Sequence, residues 1–231
     1  MKLDLFDPYN IRVRLSSSII LFAPIMITLF LCFNDIYTIA SSSIIVFILL
    51  SFTNNIPILQ RRINKAKIFP EDRAAKLLHL EDETFDFLTK KRYYDRLSRM
   101  DVSLALFDQP DNSAEFHKCC KSAIVCLRAR TRDNHLVQEE NINYGFCKNL
   151  YANKKVGIIL CVALNTFIFI YTKHLFITQS IKPINNYVAF VLNLSILIFW
   201  VFGINKKVLE ETADKYAKTL VEAIDAVILP D

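Results

Sequence analysis

The apolar residues of this chain are gathered into four long blocks rather than spread at a helical or strand period. Residues 15–33 hold the first block, through Ile19, Leu21, Phe22, Leu29 and Leu31, with no charge inside it. Residues 36–52 hold the second, separated from the first only by Asn34 and Asp35, so the two form a tight helical hairpin. The third covers residues 156–172 and the fourth residues 187–204, with Trp200 near its end. Each block is long enough to cross a hydrocarbon core of about 30 Å as a helix. The first is too long and too late for a cleavable signal peptide, and no small-residue cleavage site follows it.

Between the second and third blocks the pattern changes to amphipathic helices. Pro70, Glu71 and Asp72 read as a helix start, followed at helical spacing by Ala74, Leu77 and Leu78, then Phe85, Phe87 and Leu88. Tyr93, Leu97 and Met100 carry a further helix. Residues 108–113 are a turn, and Ser113 is placed to cap a helix bearing Phe116, Cys120, Ile124 and Leu127. After the fourth block, Val208, Thr212, Tyr216, Leu220, Ile224 and Val227 form one apolar stripe. Nothing in the sequence breaks the helix between the fourth block and Pro230, so span and tail read as one continuous helix. The stripe packs either on the central segment of its own chain or against a second protomer, with Val208, Tyr216, Leu220 and Ile224 as the contact residues.

The expected fold is therefore an all-α membrane protein. Four transmembrane helices in two hairpins enclose a helical cytoplasmic insert and end in a long C-terminal amphipathic helix. The segments are residues 1–14, cytoplasmic; 15–53, first transmembrane hairpin; 54–155, helical cytoplasmic domain; 156–204, second hairpin; and 205–231, cytoplasmic C-terminal helix.

Charge adds orientation to this picture. The net charge is only +5, but 19 Lys and Arg lie between residues 53 and 155, against none in the first inter-span loop. Lys2, Arg12 and Arg14 precede the first block, and Lys206 and Lys207 follow the fourth. Basic residues beside spans stay on the cytoplasmic side, so both termini and the central segment are expected there. The chain is expected to be a multi-pass membrane protein, with the lipid bilayer as its first partner. Six cysteines and no CxxC pair then read as reduced thiols.

Candidate chemistry is sparse. Only three glycines are present, and no Walker, Rossmann, GxSxG or HExxH pattern occurs. His117, Cys119, Cys120, Cys126 and His135 lack the close-paired spacing of structural zinc ligands, so no metal and no cofactor is expected. Glu81, Asp82, Glu83 and Asp86 read as a solvated helix face balanced by Lys90, Lys91 and Arg92. Within the spans the polar residues are Ser41, Ser42, Ser43, Ser51, Asn165, Thr166, Asn193 and Ser195. They are either hydrogen-bond glue between helices or the lining of a water-filled path. No span carries an acid or base, which disfavours a proton-coupled pump.

Two resemblances bear on function. Arg128, Arg130 and His135 fit an Arg-x4-6-His spacing that resembles the motif of HEPN ribonucleases, all-helical dimeric enzymes. The resemblance implies His135 as acid or base and an arginine stabilising the phosphorane. Thr131 departs from that pattern if Arg130 is its arginine, and nucleic acid is not the expected partner. The run of residues 143–157, with Tyr144, Gly145, Phe146, Lys148, Lys154 and Lys155, resembles small four-span bacterial membrane effectors of anti-phage defence. That resemblance implies a homo-oligomer that alters membrane permeability when a signal or soluble partner engages the cytoplasmic domain. In its own right the run reads as an interfacial elbow, with Gly145 at a turn, aromatic anchors and snorkelling lysines. The expected function is thus a non-enzymatic membrane effector or channel-like protein. The alternatives are a membrane-anchored ribonuclease and a membrane sensor that recruits a soluble partner.

Overall fold

A computed structural model of the chain describes residues 10–33, 70–179 and 184–227. The second apolar block, with Ser41, Ser42, Ser43 and Ser51, lies outside the described residues. Among those described there is no strand. A π-helical turn, Asn10–Leu15, leads into α1, Ser16–Cys32. Then come α2, Pro70–Leu77; α3, Phe87–Met100; a 3-10 segment, Val102–Asp108; and α4, Ala114–Arg130. A 45-residue helix, α5, covers His135–Gln179. It is followed by α6, Ile184–Ile198, a π-helical turn Phe199–Gly203, α7, Lys206–Glu222, and a closing 3-10 turn Ala223–Ala226.

The chain divides into two compact units. An apolar unit comprises Met1–Ala66 with Gly145–Val208, and a charged unit comprises Lys67–Tyr144 with Leu209–Asp231. Three helical stretches, Arg12–Cys32, His135–Thr178 and Ile184–Gly203, are long and apolar enough to cross a membrane. All three lie wholly or largely in the apolar unit. Their large side chains are mostly exposed, among them Ile19, Phe30, Ile159, Phe169, Ile170 and Val191. Water-soluble surfaces rarely carry so continuous an apolar patch, whereas lipid requires one.

The charged unit is built in the ordinary way. Leu78, Leu97, Phe107, Phe116, Ile124 and Leu127 form its interior, and the rings of Tyr94, Phe107 and Phe116 meet at 5.2–5.9 Å. Pro70 opens α2, and the Ser113 hydroxyl accepts from the Phe116 N–H at 3.0 Å, as the sequence predicts. The tail belongs to this unit. Tyr216, Leu220, Ile224 and Val227 are buried, while Val208 is half-buried and falls in the apolar unit. Arg73 pairs with Asp214 and Glu210, Arg92 with Asp225, and Arg96 donates to the Ile224 and Val227 carbonyls. The stripe on residues 216–227 is thus covered within its own chain.

Three expected boundaries are corrected. The helix over residues 70–88 is broken: α2 stops at Leu77, and Asp86 caps α3 by accepting from the Thr89 N–H at 2.9 Å. Glu81, Asp82 and Glu83 therefore lie on a connecting loop rather than on a helix face. Residues 143–157 make no elbow, because α5 runs unbroken through Gly145. One helical glycine costs about 1 kcal/mol relative to alanine, too little to interrupt a helix whose turns on both sides are satisfied. Finally, span and tail are not one helix. Ile204 takes an extended backbone (φ −97°, ψ 102°), and the Asn205 carboxamide accepts from the Val208 N–H at 2.9 Å to start α7.

Candidate functional site

The candidate site is the buried seam of the apolar unit, and its chemistry inverts that of the exposed surface. On α5 the buried positions Asn149, Asn153, Gly157, Cys161, Asn165, Ile168 and Thr172 follow one another every three or four residues. That spacing puts them on a single helix face. Four of the seven are polar and one is glycine. The opposing helices contribute Asn186 and Asn193 from α6 and Ser17, Ser18 and Thr28 from α1, all buried.

Part of this seam is satisfied. The Thr28 hydroxyl donates to the Pro24 carbonyl at 2.7 Å and accepts from the Asn193 amide at 2.8 Å, which ties α6 to α1. Ser17 and Ser18 donate to the Arg14 carbonyl at 2.9 and 2.8 Å. The Asn149 amide donates to the Val13 carbonyl at 3.0 Å. Other seam atoms have no hydrogen-bond partner among the described residues: both amide atoms of Asn153 and of Asn165, the Asn193 carbonyl, the Asn186 amide nitrogen and the Thr172 hydroxyl. Each such orphan costs about 1–3 kcal/mol when dry. Water has the donors and acceptors to remove that cost.

One end of the seam is closed by a tight contact. Trp200 is fully buried, and its indole lies where a side chain on Gly157 would have to go: an added Cβ would meet Trp200 Cε2 at 2.4 Å. Leu21, Phe22, Leu150 and Cys161 complete the cluster around it. Beside this contact the Lys154 ammonium donates to the Val201 carbonyl at 2.9 Å and the Ile204 carbonyl at 2.5 Å. These are helix-terminal carbonyls that would otherwise lack partners. Lys154 is thus a capping residue rather than a snorkelling anchor, and Trp200 is a seam residue.

The intramembrane candidates sort by chemistry. Asn165 and Asn193 are in the seam. Thr166 and Ser195 are exposed, each donating to the carbonyl four residues earlier, Val162 at 2.9 Å and Val191 at 3.0 Å. A hydroxyl satisfies itself on its own helix and can face lipid, whereas a carboxamide cannot. Sequence reasoning missed Asn149, Asn153, Thr28, Thr172 and Asn186 as seam members. The spacing of four between Asn149 and Asn153, continued through Gly157, Cys161 and Asn165, was the available signal.

Of the remaining candidates, Arg128 pairs with Glu71 at 2.7 Å, and the Arg130 guanidinium donates to the Met100 carbonyl at 2.7 Å. His135 is exposed at the start of α5, 3.7 Å from Glu139. Each of the three side chains has a contact of its own. From the elbow run, Tyr144 stacks on Tyr216 at 6.2 Å, Phe146 packs on the Trp200 cluster, Lys148 is half-buried and Lys155 is exposed. Among the described residues no three His, Cys, Asp or Glu side chains gather as metal ligands.

A cavity of about 610 Å³ in the charged unit is walled by Phe85, Phe87, Tyr94 and Phe107 with Asp82, Lys90 and Asp95. Lys90 is buried, its ammonium held by the His79 carbonyl at 2.6 Å and the Asp82 carbonyl, and burial lowers its pKa. His79 stacks on His117 with ring centroids 4.0 Å apart, and neither Nε2 has a partner. Burial, then the neighbouring His117, lowers the His79 pKa. Burial also pushes the Cys120 thiol up to about 12, so it is no nucleophile at neutral pH. No protein family matches the chain, and no curated protein or solved structure resembles it significantly.

Proposed function

We propose that the protein is a four-span membrane protein whose apolar unit opens a hydrated path through the bilayer under control of its charged, cytoplasmic unit. The observation that carries this reading is the set of buried amide atoms without a partner among the described residues, both on Asn153 and Asn165 and the carbonyl of Asn193, inside helices that are apolar outside. A bundle built only to anchor a soluble domain gains nothing from them, since leucine would pack the same space without orphaned groups. A path that fills with water needs them, because dipoles without fixed charge solvate a passing ion and still release it.

The second apolar block supplies the fourth span, and the basic residues around residues 53–155 hold that segment and both termini on the cytoplasmic side. In a single protomer the seam is closed by Trp200 against Gly157. Opening therefore needs separation of the helices or assembly of several copies. The trigger is a ligand or soluble partner on the charged unit, whose 610 Å³ cavity has the size of a small-molecule site. Membrane permeabilisation in response to infection is the biological setting we favour.

Purified protein in planar bilayers, and membrane-potential dyes in expressing cells, test this reading. Conductance that is lost in Asn165→Leu supports it. An absence of conductance or depolarisation for wild-type protein, when its trigger or overproduction is supplied, removes it.

A further inference from the structure

At Ile168, Thr172 and Asn186 the seam borders a cavity that adds a cation to its chemistry. Between α5 and α6, at the end where the two helices are joined, lies a cavity of about 600 Å³. Its walls are Ile168, Phe169, Phe176, Ile177 and Phe190. Thr172, Lys173, Asn186 and Tyr187 also line it. Asn186 is 3% exposed and Thr172 8%, yet neither the Asn186 amide nitrogen nor the Thr172 hydroxyl has a partner. The Lys173 ammonium lies 4.8 Å over the Phe169 ring, a weak contact compared with an ion pair. Among the described residues no acidic side chain lines the cavity.

These observations combine an apolar slot with one cation and two unspent hydrogen-bond donors. The occupant they fit has acyl chains and an anionic, acceptor-rich head. A phosphodiester supplies that head: its non-bridging oxygens accept from Thr172, Asn186 and the Lys173 ammonium together. The chains then lie against Phe176, Ile177 and Tyr187, which are exposed where bilayer lipid is present. A free anion would leave the apolar walls uncovered, and an uncharged detergent-like molecule would leave Lys173 unpaired. The cavity is lined from residues 168–177 and 186–190, at the end of the two helices that the charge pattern puts on the non-cytoplasmic side.

We propose that this cavity is a binding site for an anionic phospholipid, held by Lys173, Asn186 and Thr172 and seated between α5 and α6. The site rests on the membrane-embedded reading of the apolar unit, but not on conductance. Because both helices also form the seam, an occupied cavity fixes their spacing at one end, and the lipid acts as a structural cofactor of the bundle.

Native mass spectrometry of the full-length protein in detergent provides the test, with dioctanoyl phosphatidylglycerol, dioctanoyl phosphatidylcholine and inorganic phosphate as separate probes. Loss of one charge-assisted contact predicts a change of about tenfold. The wild-type protein should retain phosphatidylglycerol about tenfold better than phosphatidylcholine. Lys173→Gln, on an exposed residue whose replacement leaves the fold intact, should abolish that preference, and Asn186→Leu should weaken it. Equal retention of the two lipids, an unchanged preference in Lys173→Gln, or inorganic phosphate binding as well as phosphatidylglycerol would each overturn the site. Alkaline carbonate extraction separates the two levels of failure. Protein that stays in the membrane pellet without lipid preference loses only this site, whereas protein released to the supernatant loses the membrane reading as well.

Discussion

The two units of this chain bury opposite things. In the charged unit, Leu97, Phe116, Ile124 and Leu127 are inside, and Arg73, Arg92 and Arg128 pair with acids at the surface. In the apolar unit, Ile159, Phe169 and Ile170 are outside, and Asn153, Asn165 and Asn193 are inside. The hydrophobic effect explains the first arrangement and is absent between helices in lipid, where apolar tails are no worse a neighbour than leucine. There, helices associate through close contacts and hydrogen bonds, which is what Gly157 against Trp200 and Asn193 on Thr28 provide. The same residue type therefore has opposite value in the two units.

Exchange of polarity is the strongest way to break this comparison. Leu127→Asn puts an unpaired carboxamide into the charged unit and should cost about 3–5 kcal/mol, enough to unfold a marginal domain. Circular dichroism and protease resistance would report it. Asn165→Leu makes the opposite exchange in the apolar unit and should leave thermal stability unchanged or raised. If both substitutions destabilise equally, the two units do not differ in the way described.

A size change at the seam comes next. Gly157→Ala forces the Trp200 indole to move and should cost about 1–3 kcal/mol. Size-exclusion profiles and melting in detergent check it, with Gly203→Ala as a milder control because there only the Phe199 ring stands in the way. Lys154→Met removes two charge-assisted bonds to the carbonyls of Val201 and Ile204 and should cost about 1.5–3 kcal/mol before screening. Its half-exposed position puts the expected loss near the lower end, read as faster amide exchange at residues 199–204.

The smallest effect is pH dependence of the charged unit. The His79 pKa is lowered by burial and by His117, so below the ordinary imidazole value near 6.5 the unfolded chain takes up a proton more readily than the folded one. His79 therefore contributes stability that is present above pH 6.5 and lost as pH falls through the folded pKa. A melt series from pH 8 to pH 5 should show this decline, and His79→Phe should flatten it.

Much of this architecture was legible in the sequence because its signals are local. Long uncharged runs identify the helices of the apolar unit, Ser113 and Pro70 mark helix starts, and the stripe on residues 216–227 announces a packed tail. What was not legible depends on partners distant in sequence. Nothing near Trp200 shows that it packs on Gly157 rather than at an interface. The end of the stretch Ile184–Gly203 is capped by a lysine about fifty residues upstream, so span and tail looked continuous. Gly145 and its polar neighbours resemble a turn locally, yet the helix passes through them because turns on both sides favour it. The site was half visible. Asn165 and Asn193 stood out as polar residues in apolar blocks, but so did Thr166 and Ser195, whose hydroxyls bond their own helix and face outward.

The most direct measurement compares two exposed positions of matched exposure, Ile170 in the apolar unit at 61% and Val125 in the charged unit at 66%. Each is replaced by tryptophan in protein reconstituted with lipids brominated along the acyl chain, and the fluorescence added to that of Trp200 is recorded. Lipid around the apolar unit and water around the charged one predict strong quenching of the Ile170→Trp increment and none of the Val125→Trp increment. Equal quenching at the two positions, or none at either, would contradict the inverted arrangement and the membrane function built on it.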